Sequence, residues 1–340
     1  MERKVTNIRD IARRLKVTPG TVSRALNHAP GVSEEMRENI LQLADELDYR
    51  LKPFRSKRTN TIGLLLGTAH AGVIENEFLD IVVNEVTRSV SQRGLHLHLD
   101  FTDRSEEAEM PSMVAANRVD GVILAGYPSA KLCARLKEWK VPAVVLHDSA
   151  ARTGLTTIQH NNFLAMKDLT EAFLNAGRRR IAFLMTDRKF SSIENRFRGF
   201  QAAYESCGVD FSESVCLEKL PDNLVGGREG VAWLFAAGPL PETVICINDN
   251  MAVGAMMEFY RCGVRIPDEV ELAGCGNSRQ SMETFPALTT IDIPLRETVN
   301  VALDQLQELI GAGGEYPPYP GEIIVNAEVI WRESNRPLVN

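Results

Sequence analysis

The sequence predicts an α/β chain: a two-lobed core of parallel sheets carried behind a small all-α unit at the N-terminus. Three observations predict it. The first fifty residues hold three short segments of helical period and nothing strand-like. From Thr61 onward, short apolar runs alternate with helix-period stretches, and the seven such runs are more than one sheet of this kind accommodates. Charge changes at the same boundary. Residues 1–60 carry 13 Lys/Arg against 8 Asp/Glu, a net +5, while the remaining 280 carry 25 against 37, a net −12. A basic head on an acidic body points to a polyanionic partner for the head alone.

In the head, Asn7 is a good N-cap with Asp10 three residues on, and Ile8, Ile11, Ala12 and Leu15 follow helical spacing, so the first helix is placed at about 8–15. Lys16-Val17 is long enough only for a turn. Thr18 caps a second helix whose first position, Pro19, has no N–H to lose, and Val22, Ala25 and Leu26 form its apolar stripe as far as Asn27. His28-Ala29-Pro30-Gly31 breaks the chain. Ser33 caps a third helix with Glu34 and Glu35 in its first turn and Ile40, Leu41, Ala44 and Leu47 on its core face. Two short helices joined by a tight turn and closed by a third make a helix-turn-helix unit. Such a unit sets the N-terminal end of its second helix in the major groove of double-stranded DNA. There Arg24 offers a two-pronged fork to guanine, and Thr18, Thr21 and Ser23 suit phosphate oxygens. A generic three-helix bundle has the same spacing.

In the body, Thr61–Leu66 is a short apolar run of the kind buried on both faces of a parallel sheet. A helix follows at about 78–93, then an alternating strand at 95–99. Further strands are expected at 121–124, 143–146, 180–184, 244–247 and 270–274, with helices between. Ligands of open parallel sheets bind at the carboxyl ends of the strands. Pro317-Pro318-Tyr319-Pro320 reads as a turn or crossover linker.

Several classes are excluded. There is no run of 18 apolar residues for a membrane span, and the N-terminus has no apolar signal core, so a cytoplasmic protein is expected. The six cysteines form no C-x-x-C pair, which argues against a metal site or disulfide framework and for reduced, buried thiols. No G-x-S-x-G elbow, P-loop, H-E-x-x-H or phosphate-binding G-x-G-x-x-G is present, and the adjacent His147 and Asp148 cannot orient one another as a catalytic triad requires. No enzyme and no cofactor are expected.

The strings themselves are more specific. Asn7-Ile8-Arg9-Asp10-Ile11-Ala12, Val17-Thr18-Pro19-Gly20-Thr21-Val22-Ser23-Arg24-Ala25-Leu26-Asn27, Val32-Ser33-Glu34-Glu35 and Tyr49-Arg50 resemble the headpiece of the lactose-repressor family. In the body, Asp120-Gly121-Val122-Ile123, the stretch 177–184, Arg196-Phe197-Arg198-Gly199-Phe200, the stretch 248–255, Leu288-Thr289-Thr290-Ile291 and Trp331-Arg332-Glu333-Ser334 resemble the same family, so the likeness covers nearly the whole chain. It implies a two-lobed periplasmic-binding-protein-like core, with a headpiece at 1–50, a linker at 51–60 and an effector-binding and dimerisation domain at 61–335. Lobe 1 would take about 61–158 and 292–320, and lobe 2 about 159–291 and 321–335. It also implies a homodimer on a pseudo-palindromic operator, held as a repressor in the nucleoid.

By that resemblance, Pro19, Gly20 and Arg24 read the operator, supported by Thr18, Thr21, Ser23 and Asn27. Pro19 and Gly20 have no side chain that hydrogen-bonds a base, so discrimination leans on Arg24. The linker departs from the family. It is about four residues short, and Lys57 stands where the family has a leucine that wedges into the minor groove. Either Phe54 replaces the wedge, or Arg55, Lys57 and Arg58 simply touch phosphates. For the effector, the resemblance points to Arg196 and Asn248, with Asp249 a capping residue instead. Gly276 stands where the family has a sugar-binding acid, with Asn277 beside it; His147 stands where an aspartate is common, with Asp148 adjacent; and Phe78 offers an aromatic ring. The implied effector is a sugar or sugar derivative, with a non-sugar metabolite or no ligand as alternatives. Its binding would alter lobe orientation and hence operator affinity.

Overall fold

A computed structural model describes residues 8–26, 31–47, 58–68, 77–103 and 110–337; of Asp45, Thr68, Glu77, Phe78 and Asp103 it describes the backbone alone. Three helices open the chain, α1 (Ile8–Arg14), α2 (Pro19–Leu26) and α3 (Glu34–Glu46). They share a core of Ile11, Ala12, Val22, Ala25, Leu26, Ile40 and Ala44. The turn between the first two is closed by Val17 N–H donating to the Ala12 carbonyl at 3.0 Å, with Lys16 left-handed at φ 54°. That six-residue closure satisfies a carbonyl at the end of α1, and Thr18 Oγ1 then accepts from Thr21 N–H at 3.1 Å to start α2. Ser33 Oγ does the same for α3 through Met36 N–H.

After the head come β1 (Thr61–Thr68), α4 (Glu77–Gln92), β2 (His96–Asp103), α5 (Ser112–Ala115), β3 (Gly121–Ala125), α6 (Ala130–Glu138), β4 (Ala143–Leu146), α7 (Ala150–Thr153) and β5 (Thr157–His160). Then follow α8 (Asn162–Asn175), β6 (Ile181–Leu184), α9 (Ser191–Cys207), β7 (Val215–Leu217), α10 (Leu224–Ala237), β8 (Thr243–Cys246), α11 (Asp249–Arg261), β9 (Glu271–Cys275), α12 (Arg279–Glu283) and β10 (Thr289–Asp292). Helix α13 (Leu295–Gly311) and strands β11 (Glu322–Val325) and β12 (Glu328–Ile330) complete the order.

The strands form two sheets, ordered β2-β1-β3-β4-β5-β11 and β7-β6-β8-β9-β10-β12. Strands β2, β1, β3 and β4 run parallel, as do β7, β6, β8, β9 and β10; β12 is antiparallel to β10. Each sheet therefore starts with a second strand laid outside the first, and the order reverses between β1 and β3 and between β6 and β8. These are doubly wound sheets with one switch point apiece. Strands β3, β4, β6, β8 and β9 are buried at every residue, as strands covered on both faces must be, and this includes Thr243 of β8 and Glu271 of β9.

Contacts divide the chain into two compact units. One holds residues up to Leu146, Ala150–Thr157 and Val299–Gly321; the other holds His147–Ser149, Ile158–Thr298 and the chain from Glu322. The first has a core around Leu65, Val122, Leu124, Leu136 and Val145. The second is built on Phe173, Phe183, Phe200, Tyr204 and Phe259, with close helix pairs. A Cβ on Gly199 of α9 would lie 2.2 Å from the Phe163 carbonyl of α8, and one on Gly254 of α11 would lie 2.1 Å from the Leu224 carbonyl of α10.

The structure differs from the sequence expectation in detail. Strand β2 starts at His96 and runs on to Asp103, and β5, β7, β10, β11 and β12 are additional. Those five are three or four residues long. Strand β5 also buries Thr157, Gln159 and His160, so its polar letters hide a fully covered strand. Of the cysteines, Cys133, Cys246 and Cys275 are buried, Cys207 and Cys216 are partly so, and Cys262 is exposed; the expectation of buried thiols fails at Cys262 because it follows the surface end of α11. Among the described residues no helix is long and apolar enough to cross a membrane, and no group of three or more His, Cys, Asp or Glu is placed to hold a metal.

Candidate functional site

Two groups of residues stand out, one in the head and one in the second unit. Helix α2 turns Val22, Ala25 and Leu26 into the three-helix core. Its other face leaves Thr18, Pro19, Gly20 and Arg24 exposed, with Thr21 and Ser23 half-buried. Thr18 and Thr21 hydroxyls share a 2.9 Å hydrogen bond. The Arg24 guanidinium lies back along the helix, Nε donating to the Gly20 carbonyl at 3.4 Å. Arg37 of α3 donates to the Ala25 carbonyl and so ties α3 to the end of α2. Asn27, Phe54, Arg55 and Lys57 lie outside the described residues, and so does the side chain of Phe78.

Where the chain enters β1, the buried carboxylate of Asp120 grips it. Its Oδ1 accepts from Thr59 N–H (2.7 Å) and Thr59 Oγ1 (2.9 Å), and its Oδ2 accepts from Asn60 N–H (2.8 Å). The Asp120-Gly121-Val122-Ile123 string thus has a physical reason for its first residue that spacing does not disclose.

In the second unit, Arg196 rises from the first turns of α9 toward the carboxyl end of β8, beside the switch point between β6 and β8. It is buried, with 7% of its surface exposed. Its Nε donates to Asn162 Oδ1 at 2.7 Å, its Nη1 to the Ile247 carbonyl at 2.5 Å, and its Nη2 faces His160 Nε2 at 3.4 Å. His160 ends β5, Asn162 opens α8 and Ile247 follows β8, so three separate places in the fold converge on one guanidinium. The His147 ring lies 5.2 Å from that of His160, tilted by 58°. Burial, then the positive charge of Arg196, pushes the His147 pKa down to about 4. His160 is pushed well down by burial and by His147 and Arg196, against an opposing bond from Asn162. Both imidazoles are therefore neutral at neutral pH.

The remaining residues singled out from the sequence are placed around this group in different ways. Asp148 is buried, its Oδ1 accepting from Ser149 N–H at 2.7 Å. Asn248, not Asp249, caps α11: its Oδ1 accepts from Met251 N–H at 2.8 Å, and its Nδ2 donates to the Asp222 carbonyl at 2.8 Å. Asp249 is the first helical residue and is buried, accepting from Thr290 Oγ1 (2.5 Å) and Ser278 N–H (2.6 Å); burial raises its pKa. Asn277 donates to Asp292 at 2.9 Å and accepts from Arg332, so both ends of its amide are held within the fold. Gly276 has φ +136°, a conformation side chains rarely adopt, and a Cβ there would lie 3.5 Å from Asp249 Oδ2. Arg196 and His147 are thus brought together. His160 and Asn162 join them unforeseen, since both lie in the stretch Thr156-Thr157-Ile158-Gln159-His160-Asn161-Asn162, which has no apolar run to mark a strand end. Chemically the group is a fixed cation beside two neutral rings.

Residues 7–51 match the description of bacterial regulatory proteins of the lacI family, and residues 170–335 match a periplasmic binding protein-like domain. The chain is 27% identical over 340 residues to a probable HTH-type transcriptional repressor, ExuR, of Bacillus subtilis (strain 168), covering 98% of this chain and 99% of the relative. Among solved structures, the lac repressor dimer bound to operator and the anti-inducer ONPF superposes with a TM-score of 0.70 at 21% identity. The complex of the regulator CelR with cellobiose gives 0.68 at 21%. Each of these two covers 97% of this chain and 99% of the solved chain, and at that identity the likeness is one of fold.

Proposed function

The chain belongs to the lacI family of bacterial regulatory proteins, and from that premise we infer that it is a sequence-specific DNA-binding transcriptional repressor whose hold on its operator is set by a small molecule. The observation that carries this reading is the division of α2 into a buried face of Val22, Ala25 and Leu26 and an exposed face of Thr18, Pro19, Gly20 and Arg24. A helix so divided can enter a major groove without unfolding its own core. Arg24 is the base-reading fork, Thr21 and Ser23 meet phosphates, and Pro19 and Gly20 allow close backbone approach. Residues 51–60 form the linker, where Arg55 and Lys57 meet the DNA backbone and Phe54 is the candidate wedge. Two copies of residues 61–335 pair, so that two heads meet the two halves of a pseudo-palindrome. The solved relative bound to operator is a dimer by its description.

The effector site is the Arg196 group, with His147, His160 and Asn162. Asn248, Asn277, Asp148 and Phe78 complete the set carried over from the sequence. The effector class is a sugar or sugar derivative, in line with a relative described as a cellobiose complex. The curated relatives are described as transcriptional regulators, which leaves an enzymatic reading without support. The site of action is the cytoplasmic nucleoid.

Selection from a randomised pool of duplexes tests the first half of this reading. It is expected to enrich a pseudo-palindrome with guanine at the symmetric positions faced by Arg24. A pool that stays random after repeated rounds refutes sequence-specific binding. A thermal-shift panel of sugars and sugar derivatives tests the second half. A ligand at a hundred times its Kd stabilises the folded chain by about 2.7 kcal/mol. Arg196→Ala is expected to abolish that shift.

A further inference from the structure

Among the described residues, the guanidinium of Arg196 is a buried cation without an anionic partner. Its three acceptors are neutral: the Asn162 amide, the Ile247 carbonyl and the His160 ring. No Asp or Glu among the described residues forms an ion pair with it. The buried carboxylate on α11, Asp249, is already held by Thr290 and Ser278. Burying an unpaired charge is costly, and most buried arginines are balanced by a carboxylate. A second observation points the same way. A guanidinium only donates, so His160 Nε2 must accept from it and the ring proton sits on Nδ1. That Nδ1 is buried and has no hydrogen-bond partner. Beside an uncompensated cation there is therefore an unanswered N–H donor, and Gly276, where the family resemblance places an acid, contributes no side chain. The group has donors in excess and lacks an acceptor carrying negative charge.

We propose that the effector is an anionic sugar derivative whose carboxylate or phosphate is taken by Arg196 and His160. This rests on reading the Arg196 group as the effector site. Two of the five guanidinium N–H groups remain for the ligand, enough for a paired contact with two oxygens of one anionic group. Neutral sugars would leave the buried charge uncompensated and bind weakly.

Isothermal titration of the full-length protein with D-glucuronate, D-galacturonate, D-gluconate and glucose 6-phosphate, against D-glucose, D-galactose and D-glucuronamide, tests this. At least one acid is expected to bind roughly 30-fold more tightly than its neutral counterpart. Arg196→Gln should bring that ratio near one, while Arg196→Lys, checked for folding by circular dichroism, should keep part of it. A ratio favouring the sugar acids identifies a carboxylate, and one favouring glucose 6-phosphate a phosphate. Equal binding of acids and neutral sugars, or binding of none of the four anions, overturns the proposal. Selection of duplex DNA by the same preparation separates the two readings: if an operator is still enriched, only the anionic effector falls, and if none is, the regulator itself is in question.

Discussion

At the scale of single residues, the two histidines give the protein a signature in pH. Unfolded His147 takes up its proton near 6.5, but folded it does so only near 4. Between these values the unfolded chain holds more protons, so stability rises with pH. It is complete above 6.5 and is lost as pH falls toward 4, by about 3 kcal/mol from this residue. His160 is shifted in the same direction. Urea midpoints measured at pH 7 and pH 4.5 should therefore fall less in His147→Asn, whose side chain tolerates the positive φ of 59° at that position. Identical falls in both proteins would contradict it. Arg24 makes a separate prediction. Arg24→Ala should weaken operator binding by about 1–3 kcal/mol and relax base preference at one pair per half-site, leaving the thermal midpoint unchanged. The sequence singled out Arg24 and Arg196 because both stand in strings whose neighbours are equally distinctive. It did not disclose Asn162 or His160, whose importance lies in what they face across 34 and 36 residues of chain. Nor did it disclose that Asn277 is fully engaged by Asp292 and Arg332.

At the scale of elements, helix contact and chain entry make the predictions. Gly254 lets α11 approach the start of α10 so closely that any Cβ would strike the Leu224 carbonyl. Gly254→Ala should cost about 1–3 kcal/mol or more, because backbone rather than a flexible side chain must move. Chemical denaturation reads this directly, and a neutral effect would show that the pair can separate cheaply. The Asp120 carboxylate fastens residues 59 and 60 to the first sheet. Asp120→Ala should loosen the linker's attachment, lowering operator affinity while titration of the effector is unchanged; equal losses in both would mean general unfolding instead. Long elements with a clear period were legible in the sequence: α4 was expected at 78–93 and is found at Glu77–Gln92. Strand β12, only three residues long, has no periodicity to detect. It is defined by its ladder to β10, a partner far away in sequence.

At the scale of the whole molecule, charge and connectivity matter most. The +5 head and −12 body divide attraction from repulsion, so binding to DNA should weaken linearly in log Kd against log salt. Lys57→Gln, present twice in a dimer, should reduce the slope by about 2 if each lysine meets one phosphate. An unchanged slope would remove Lys57 from the interface. The two-sheet architecture was legible because the apolar runs were too many for one sheet, whereas the places where the chain passes from unit to unit were expected only from the family resemblance, since no composition shift marks them. Those passages have a consequence for how the protein is made. The head needs only residues within 8–47 for its core. The first unit waits for Val299–Gly321, and the second for the chain from Glu322. During synthesis the residues of the head's core emerge long before the segments that both units of the body await. A ribosome that stalls ahead of Val299 therefore leaves a product that contains the DNA reader but lacks segments that both units of the body need.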